Sequence, residues 1–460
     1  MIATLAATGL IAAFMQTVVT PIIPELPELL DTTRADASWV LTATLLAAAI
    51  STPISGRLGD MYGKRRIMLA LLVIMAVGCV IAALSSTLIP MVVGRVLQGV
   101  GLGVIALGIS ILRDVIHPRN LGGAVALVSA TLGVGGALGL PLAATIAQYL
   151  DWHFLFWLAT ALSLVAIAAV ATVIPVSTLR TGGHFDLIGA LGLAVGLVGI
   201  LLAVSKGTEW GWTSPLTLGL LGGGLAVLVA WGFFELRSQN PLVDLRVATR
   251  RTVLLTNLTS IAVGFAFFVC TASLPIVLES PTNSGVGLGL PLILASLCLM
   301  PLGLVMFFLS PVAARLSAAR GPRTSLILGA IIITVGFTLA VFFLDQVWHV
   351  ILVSTITGIG VGFAYAAMPT LIMRAVPPSE TAAANGLNSV MRTLGSTISA
   401  TAVGIILSTH VAGGVPTRDA FSYVFIMGAA VVLVGVIIAL FIPRRFTNYD
   451  TSSIPVQNAS

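Results

Sequence analysis

The sequence predicts an all-α polytopic membrane protein of fourteen transmembrane helices, arranged as two six-helix bundles with one helix pair inserted between them. Three observations predict it. The first is composition: of 460 residues, 58% are hydrophobic and only 8% are charged, where an ordinary soluble domain is about a quarter charged. A mean hydropathy of +1.10 leaves too few polar groups to cover a globule. That excludes a cytosolic enzyme, a nucleic-acid binder and a secreted disulfide scaffold. The second is a series of apolar runs, each near the length of about 20 residues that a helix needs to cross hydrocarbon. The third is an internal repeat.

The elements follow in order. Residues 1–175 hold runs at 1–24, 38–56, 67–87, 89–112, 121–148 and 153–175, the predicted N-terminal bundle. The first run opens at Met1 without a charged segment, so it reads as a span and not as a cleaved signal peptide, and the true N-terminus is open. Residues 176–251 hold the inserted pair, runs 187–205 and 215–235, with their linkers. Residues 252–442 hold runs 252–278, 288–311, 324–344, 349–372, 383–410 and 420–442, the C-terminal bundle. The polar stretch 443–460 is predicted to be a disordered cytoplasmic tail.

Charge sets the expected orientation, because cytoplasmic loops collect lysine and arginine. With both termini inside, one set of loops holds 17 of the 22 basic residues, among them Arg57, Lys64, Arg65, Arg66, Arg113, Arg180, Arg320, Arg374, Arg444 and Arg445. The other set holds only Arg34, Lys206 and Arg418, and Arg95 and Arg392 lie inside spans. The net charge of +6 is therefore an inside-positive bias and not a nucleic-acid footprint. All 16 acids fall in loops or at helix ends. Neither lysine sits in a P-loop pattern, so the chain carries no ATPase of its own. Cys79, Cys270 and Cys298 lie in apolar runs without metal-ligand spacing, and no cofactor or metal is expected.

The repeat appears three times in the same order. Gly56 to Arg65 is echoed by Ala314 to Arg323, Gln98 to Gly103 by Thr357 to Gly362, and Thr131-Leu132-Gly133 by Thr393-Leu394-Gly395, at offsets of 258, 259 and 262 residues. Six helices need about 200 residues, so the surplus of about 60 fits one extra helix pair.

Several motifs carry chemistry. Gly56-x-Leu58-x-Asp60-x-x-Gly63-Lys64-Arg65 is read as a tight loop between helices 2 and 3, where Asp60 can accept from an arginine or face a helix N-terminus. Arg95-x-x-Gln98-Gly99-x-Gly101 places a guanidinium inside helix 4, at a cost of several kcal/mol unless it is paired or hydrated. Gly133-x-Gly135-Gly136-x-x-Gly139-Leu140-Pro141 offers close helix packing and a proline bend. These motifs resemble the major facilitator superfamily over nearly the whole chain. Phe185-Asp186-x-x-Gly189, Trp210-Gly211-Trp212, Glu235-x-Arg237-x-x-Asn240-Pro241-Leu242 and Asn385-Gly386-Leu387-Asn388-x-x-Met391-Arg392 resemble its fourteen-helix drug:proton antiporter branch, the EmrB/QacA-like multidrug exporters. The resemblance implies the major facilitator fold. It gives Gly56, Asp60, Gly63, Lys64 and Arg65 the role of a conformational latch, and Gly135, Gly139 and Pro141 that of an exporter-type helix 5.

One departure matters. Relatives carry an aspartate in helix 1 where this sequence has Met15, and no other mid-span acid replaces it. Coupling would then fall to edge acids, Glu25, Asp60, Asp151 or Glu279, or to His153. Alternatively Arg95 and Arg392 make the passage electropositive and suited to neutral or anionic solutes. Polar and aromatic residues on apolar faces complete the substrate or coupling candidates: Gln16, Thr17, Gln98, Asn257, Phe265, Tyr365 and Asn388. Each of these also suits a helix–helix hydrogen bond or plain packing.

The expected function is secondary active export of small amphipathic molecules, drug-like or metabolite, across the inner or plasma membrane, coupled to protons. An uncoupled facilitator or importer of a neutral or anionic solute competes with it, as does a receptor or scaffold derived from a transporter. The expected partners are substrate, protons and the lipid bilayer, with no nucleic acid and no enzyme chemistry. The oligomeric state is not set by the sequence.

Overall fold

The computed structural model describes residues 1–23, 25–176, 184–282, 286–412 and 415–443. Pro24, Arg180, Arg444, Arg445 and the tail from Phe446 to Ser460 lie outside them. Among the described residues thirteen helices are long and apolar enough to cross a membrane, and counting one bent pair as a span gives fourteen. They are α1 (Ile2–Ile22), α2 (Trp39–Tyr62), α3 (Lys64–Ala83), α4 (Leu88–Val115), α5 (Arg119–Tyr149), α6 (His153–Val173) and α7 (Leu187–Trp210). After them come α8 (Pro215–Arg237), α9 (Arg251–Glu279), α10 (Leu292–Phe308 with Ser310–Arg320), α11 (Pro322–Phe342), α12 (Val347–Ala375), α13 (Thr381–Thr409) and α14 (Arg418–Leu440). A two-residue antiparallel hairpin, Val411–Ala412 with Val415–Pro416, joins the last two.

Four local expectations change. The segment from Gly56 to Tyr62 is not a loop but the last two turns of α2; the turn is Gly63 alone, at φ +106°. Gly321 makes the same one-residue turn between α10 and α11 at φ +87°, 258 positions later. Only glycine takes that φ at no steric cost, so the repeat is written into the backbone as well as the sequence. The tenth span starts at Leu292, and its two segments are bent by 41°. Lys206 is not in a loop but lies buried within α7. Finally, α4 is two helices, Leu88–Gly101 and Val104–Val115, broken at Leu102-Gly103.

The buried apolar side chains form two large cores. One draws on α1 to α6, with Met373 and Ala382 added to it. The other draws on α9 to α14. A smaller cluster fastens α7 and the linker residues Leu242 and Val243 to Ala49 of α2 and Val390 of α13. Helix α8 packs on α7 and turns Leu216, Leu218, Leu225, Val229 and Phe233 outward, as a lipid-facing helix does. Lipid gives little hydrophobic drive to hold helices together, so close backbone approach matters more. Gly78 meets Gly94 between α3 and α4, and Gly329 meets Gly360 between α11 and α12: a Cβ on Gly78 would stand 2.6 Å from the Gly94 carbonyl oxygen, and one on Gly329 2.5 Å from that of Gly360.

The two cores meet along α2 with α13 and α5 with α10. At the end that holds Gly63, a Cβ on Gly56 would lie 2.6 Å from the Ala382 carbonyl oxygen, so the α2 and α13 backbones touch there. Midway along α5, Gly133 and Gly303 of α10 leave no room for a side chain between them. Toward the other end α5 exposes Leu138, Leu142 and Tyr149.

Candidate functional site

At the basic end, α2, α3, α4 and α13 bring four charged or polar groups together. Asp60, in the last turn of α2, accepts a hydrogen bond through Oδ2 from the Ala383 backbone N–H at 3.2 Å. Ala383 lies in the first turn of α13, where N–H groups have no intrahelical partner and the helix dipole favours an anion. The tie therefore joins the two halves of the molecule. Lys64, the first residue of α3, holds both Asp114 oxygens at 2.9 and 2.8 Å and stands 3.6 Å from Asp60. Arg65 turns the other way, to the Ala171 carbonyl at the end of α6. Gly56, Asp60, Gly63, Lys64 and Arg65 thus occupy one corner, with Gly59 kept small by Leu107 of α4.

Arg95 and Gln98 lie elsewhere, sealed between α1, α2 and α4. The Arg95 side chain is 0% exposed. Its Nη1 donates to the Met15 carbonyl at 3.0 Å and to Gln98 Oε1 at 2.5 Å, and its Nε donates to the Val40 carbonyl at 3.2 Å. The regular helix of α1 ends at Thr17, so the Met15 carbonyl has no intrahelical donor. Arg95 supplies one. The Met15 side chain is buried against Cys79, with the two sulfurs 3.7 Å apart.

In the second half α9, α12 and α13 assemble a polar network. Asn388 donates to Asn257 Oδ1 at 3.0 Å and to Ser260 Oγ at 2.6 Å. Its own Oδ1 accepts from Arg392 at 3.0 Å, and Arg392 also donates to Ser389 at 3.0 Å. The guanidinium stands 5.0 Å over the Tyr365 ring. Gly264 and Gly395 let the α9 and α13 backbones meet at this level. Of the sequence candidates, Asn257, Tyr365, Asn388 and Arg392 are joined here. Phe265 is buried in the adjoining core without entering the network. Arg392 is only half-buried.

Between α1 and α5, Gly135 and Gly139 set a close contact: a Cβ on Gly135 would stand 2.7 Å from the Leu10 carbonyl oxygen, and one on Gly139 2.5 Å from Thr17 Oγ1. Thr17 bonds its own backbone, to the Phe14 carbonyl. Gln16 is exposed beside it. Pro141 is buried inside α5, and Thr145 donates to its carbonyl at 2.7 Å.

The edge acids stay apart from both polar networks. Glu25, Asp151 and Glu279 are all exposed at the end opposite Gly63. Asp151 accepts from the His153 backbone N–H and faces its Nδ1 at 2.5 Å, which holds this carboxyl below its ordinary range. His153 Nε2 lies 3.1 Å from the Ser85 carbonyl, so both ring nitrogens face acceptors.

Sequence reasoning missed several participants. Arg113 donates to the Val376 carbonyl at 3.1 Å, to the Pro377 carbonyl at 3.3 Å and to Thr381 Oγ1 at 2.5 Å. The available signal was Arg374, which stands 261 residues after Arg113, within the repeat offsets. Lys206 of α7 binds Ser38 and Glu209 and stands 5.0 Å over the Trp39 ring, pinning the inserted pair to the start of α2. Glu235, buried at the end of α8, accepts from the Leu242 N–H at 3.0 Å, which gives the Glu235-to-Leu242 motif a structural use.

The family profile described as Major Facilitator Superfamily matches residues 5–400 and 288–455. The chain is 31% identical over 286 residues to an uncharacterized MFS-type transporter of Mycobacterium tuberculosis (strain CDC 1551 / Oshkosh); the match covers 60% of this chain and only 41% of that relative's length. It is 28% identical over 445 residues to the "Putative multidrug resistance protein MdtD" of Salmonella paratyphi A, covering 94% of this chain and 93% of the relative. In fold it is similar to the human organic anion transporter MFSD10, with a TM-score of 0.64 at 15% identity over 94% of this chain and 98% of the other.

Proposed function

The chain belongs to the Major Facilitator Superfamily of transporters, and from that premise we propose that it exports small amphipathic molecules across the cytoplasmic membrane by alternating access, driven by protons. The observation that carries this reading is the tie between Asp60 and the first turn of α13, which closes the basic end across the two halves. A static scaffold has no use for a charged contact between two separately packed cores. A rocking transporter needs one that forms in one state and breaks in the next.

In this reading 1–175 and 252–442 are the moving bundles, and the basic end is cytoplasmic by its excess of arginine and lysine. Outward export from here requires the Asp60 contact to open so that the α2–α13 seam parts. Substrate then meets the polar network around Asn388 and Arg392. The name of the MdtD relative supports a drug-like substrate, at modest identity. A substrate panel on purified protein in liposomes, with and without an imposed pH gradient, tests the proposal. Gradient-dependent uptake of at least one amphipathic compound is expected. Uptake by none, or uptake indifferent to the gradient for all, rejects proton-driven export.

The second reading, an uncoupled facilitator for a neutral or anionic solute, is favoured by two features. Met15 fills the helix 1 position of the usual acid, and the Arg392 network is built from amides, hydroxyls and a phenol ring. Counterflow in gradient-free vesicles separates the two readings.

A further inference from the structure

We propose that Arg113 is a positioning residue that grips the α12–α13 turn and forms, with Asp60, a two-sided clamp on the closed basic end. The inference rests on the alternating-access reading and adds a residue and a geometry to it.

The turn runs from Val376 to Glu380, between the last residue of α12 and the first of α13. A helix ends with carbonyls that lack donors and begins with N–H groups that lack acceptors. The dipole makes the first end attract cations and the second attract anions. Both needs are met from the opposite half of the molecule. Arg113 reaches the Val376 and Pro377 carbonyls at the α12 end. Asp60 reaches the Ala383 N–H at the α13 end. Arg113 also bonds the Thr381 hydroxyl, which in turn donates to the Pro378 carbonyl at 2.9 Å, so the first residue of α13 is fixed as well.

The planar guanidinium suits this task, because its forked donors serve two carbonyls and a hydroxyl at once. A lysine in its place is a point charge with no such fork. The position in α4 matters too. Arg113 and the adjacent Asp114, which anchors Lys64, sit on the second segment of α4 (Val104–Val115), past the break at Leu102-Gly103. That segment therefore holds the Lys64–Asp60 side with one residue and the α12–α13 turn with the next. Arg323, at the start of α11, gives an internal control. It donates to the Ala439 and Leu440 carbonyls at the end of α14, the same arginine-to-helix-end chemistry confined to one half.

The test uses full-length protein with its three cysteines replaced and spin labels introduced at Tyr62→Cys and Ala319→Cys, exposed positions at the basic end of opposite halves. Pulsed electron resonance reads the fraction of molecules with that end open. Charged hydrogen bonds are the stronger class, so Arg113→Ala is expected to raise the open-to-closed ratio about tenfold or more, with Arg113→Lys intermediate. Thr381→Val should raise it by a smaller factor. Arg323→Ala should lower the melting temperature and leave the ratio unchanged, which separates positioning from a general loss of stability. Asp60→Asn is run alongside. If Asp60→Asn opens the end and neither Arg113 variant does, the clamp is refuted and the latch stands. If neither residue alters the ratio, the alternating-access reading of this end fails with it. Should Arg113→Ala not fold, Arg113→Lys and Thr381→Val carry the same decision.

Discussion

Lys64→Met is the sharpest perturbation of the basic end. The Lys64 and Asp114 side chains are 1% and 5% exposed and bonded at 2.9 and 2.8 Å, with Asp60 3.6 Å from the same ammonium. Removing the lysine leaves two carboxylates buried beside each other, and breaking a buried pair in this way costs about 3–5 kcal/mol. Replacing both partners removes the stranded Asp114 charge, so Lys64→Met with Asp114→Leu should recover most of that loss; Asp60 keeps its N–H donor from Ala383. The prediction is thus a coupling energy, about 2–3 kcal/mol in a double-mutant cycle, and not merely an unstable mutant. Equilibrium unfolding of the four proteins by dodecyl sulfate in mixed micelles measures it. Additive losses, with coupling below about 0.5 kcal/mol, would refute the claim that the lysine's role is to neutralise those acids.

Three further outcomes follow from the packing and the charges. Gly303→Ala pushes a methyl into the Gly133 carbonyl, a backbone atom that cannot swing aside, and should cost about 1–3 kcal/mol in the same unfolding assay; a variant as stable as the parent contradicts the α5–α10 contact. Met15→Asp sets a carboxylate in the pocket shared by Cys79 and Arg95, whose Nη2 lacks a hydrogen-bond partner, and should steepen the dependence of transport on the pH gradient relative to the parent; an unchanged gradient response rejects it. Burial, and after it the nearby Asp244, raises Glu380 above its ordinary value near 4.5, against Arg57 and Arg250. The closed end therefore binds more protons than an end where Glu380 is hydrated, and its stability should fall as pH rises from about that ordinary value through the raised one. Glu380→Gln should flatten that slope in the spin-label ratio, and an unaltered slope assigns it to another group.

Most of the architecture was legible because lipid imposes a simple rule on sequence. Each span must be apolar over a fixed length, and backbone polar groups must be satisfied within the helix. Runs such as 187–205 and 420–442 therefore map directly onto α7 and α14. What escaped was where polarity and helix coexist. Gly56 to Tyr62 carries charge and glycine and so reads as a loop, yet tertiary packing against α13 and Leu107 keeps it helical. Lys206 reads as a boundary residue because it is charged, but Ser38, Glu209 and the Trp39 ring make its burial tolerable. The Asn257–Asn388–Arg392 set was visible as single polar residues on apolar faces; that two helices join them depends on a register between α9 and α13 that periodicity does not encode. Arg113 was hidden for the opposite reason. It looks like one more cytoplasmic charge, and only its partners in the other half distinguish it from Arg119 or Arg66.

The two arginines inside spans are chemically alike, and their surroundings assign them different work. Arg95 spends two of its donors on carbonyls, one of them left open where α1 stops being a regular helix, and is closed off on every side. Moving it would strand the Met15 carbonyl and the guanidinium together, so it belongs to the rigid frame of the first half. Arg392 is held by Asn388 and Ser389, one turn back on its own helix, and by the face of a tyrosine. Such local bonds are short-range and individually weak, and exchanging one for a solute oxygen strands no backbone group. Under the proposed transport reading, Arg392 would be the adaptable cation at α13, while Arg95 is a fixed one that braces α1. This division follows from where helix α1 breaks and from which residues precede Arg392 by three and four positions, not from the arginines themselves.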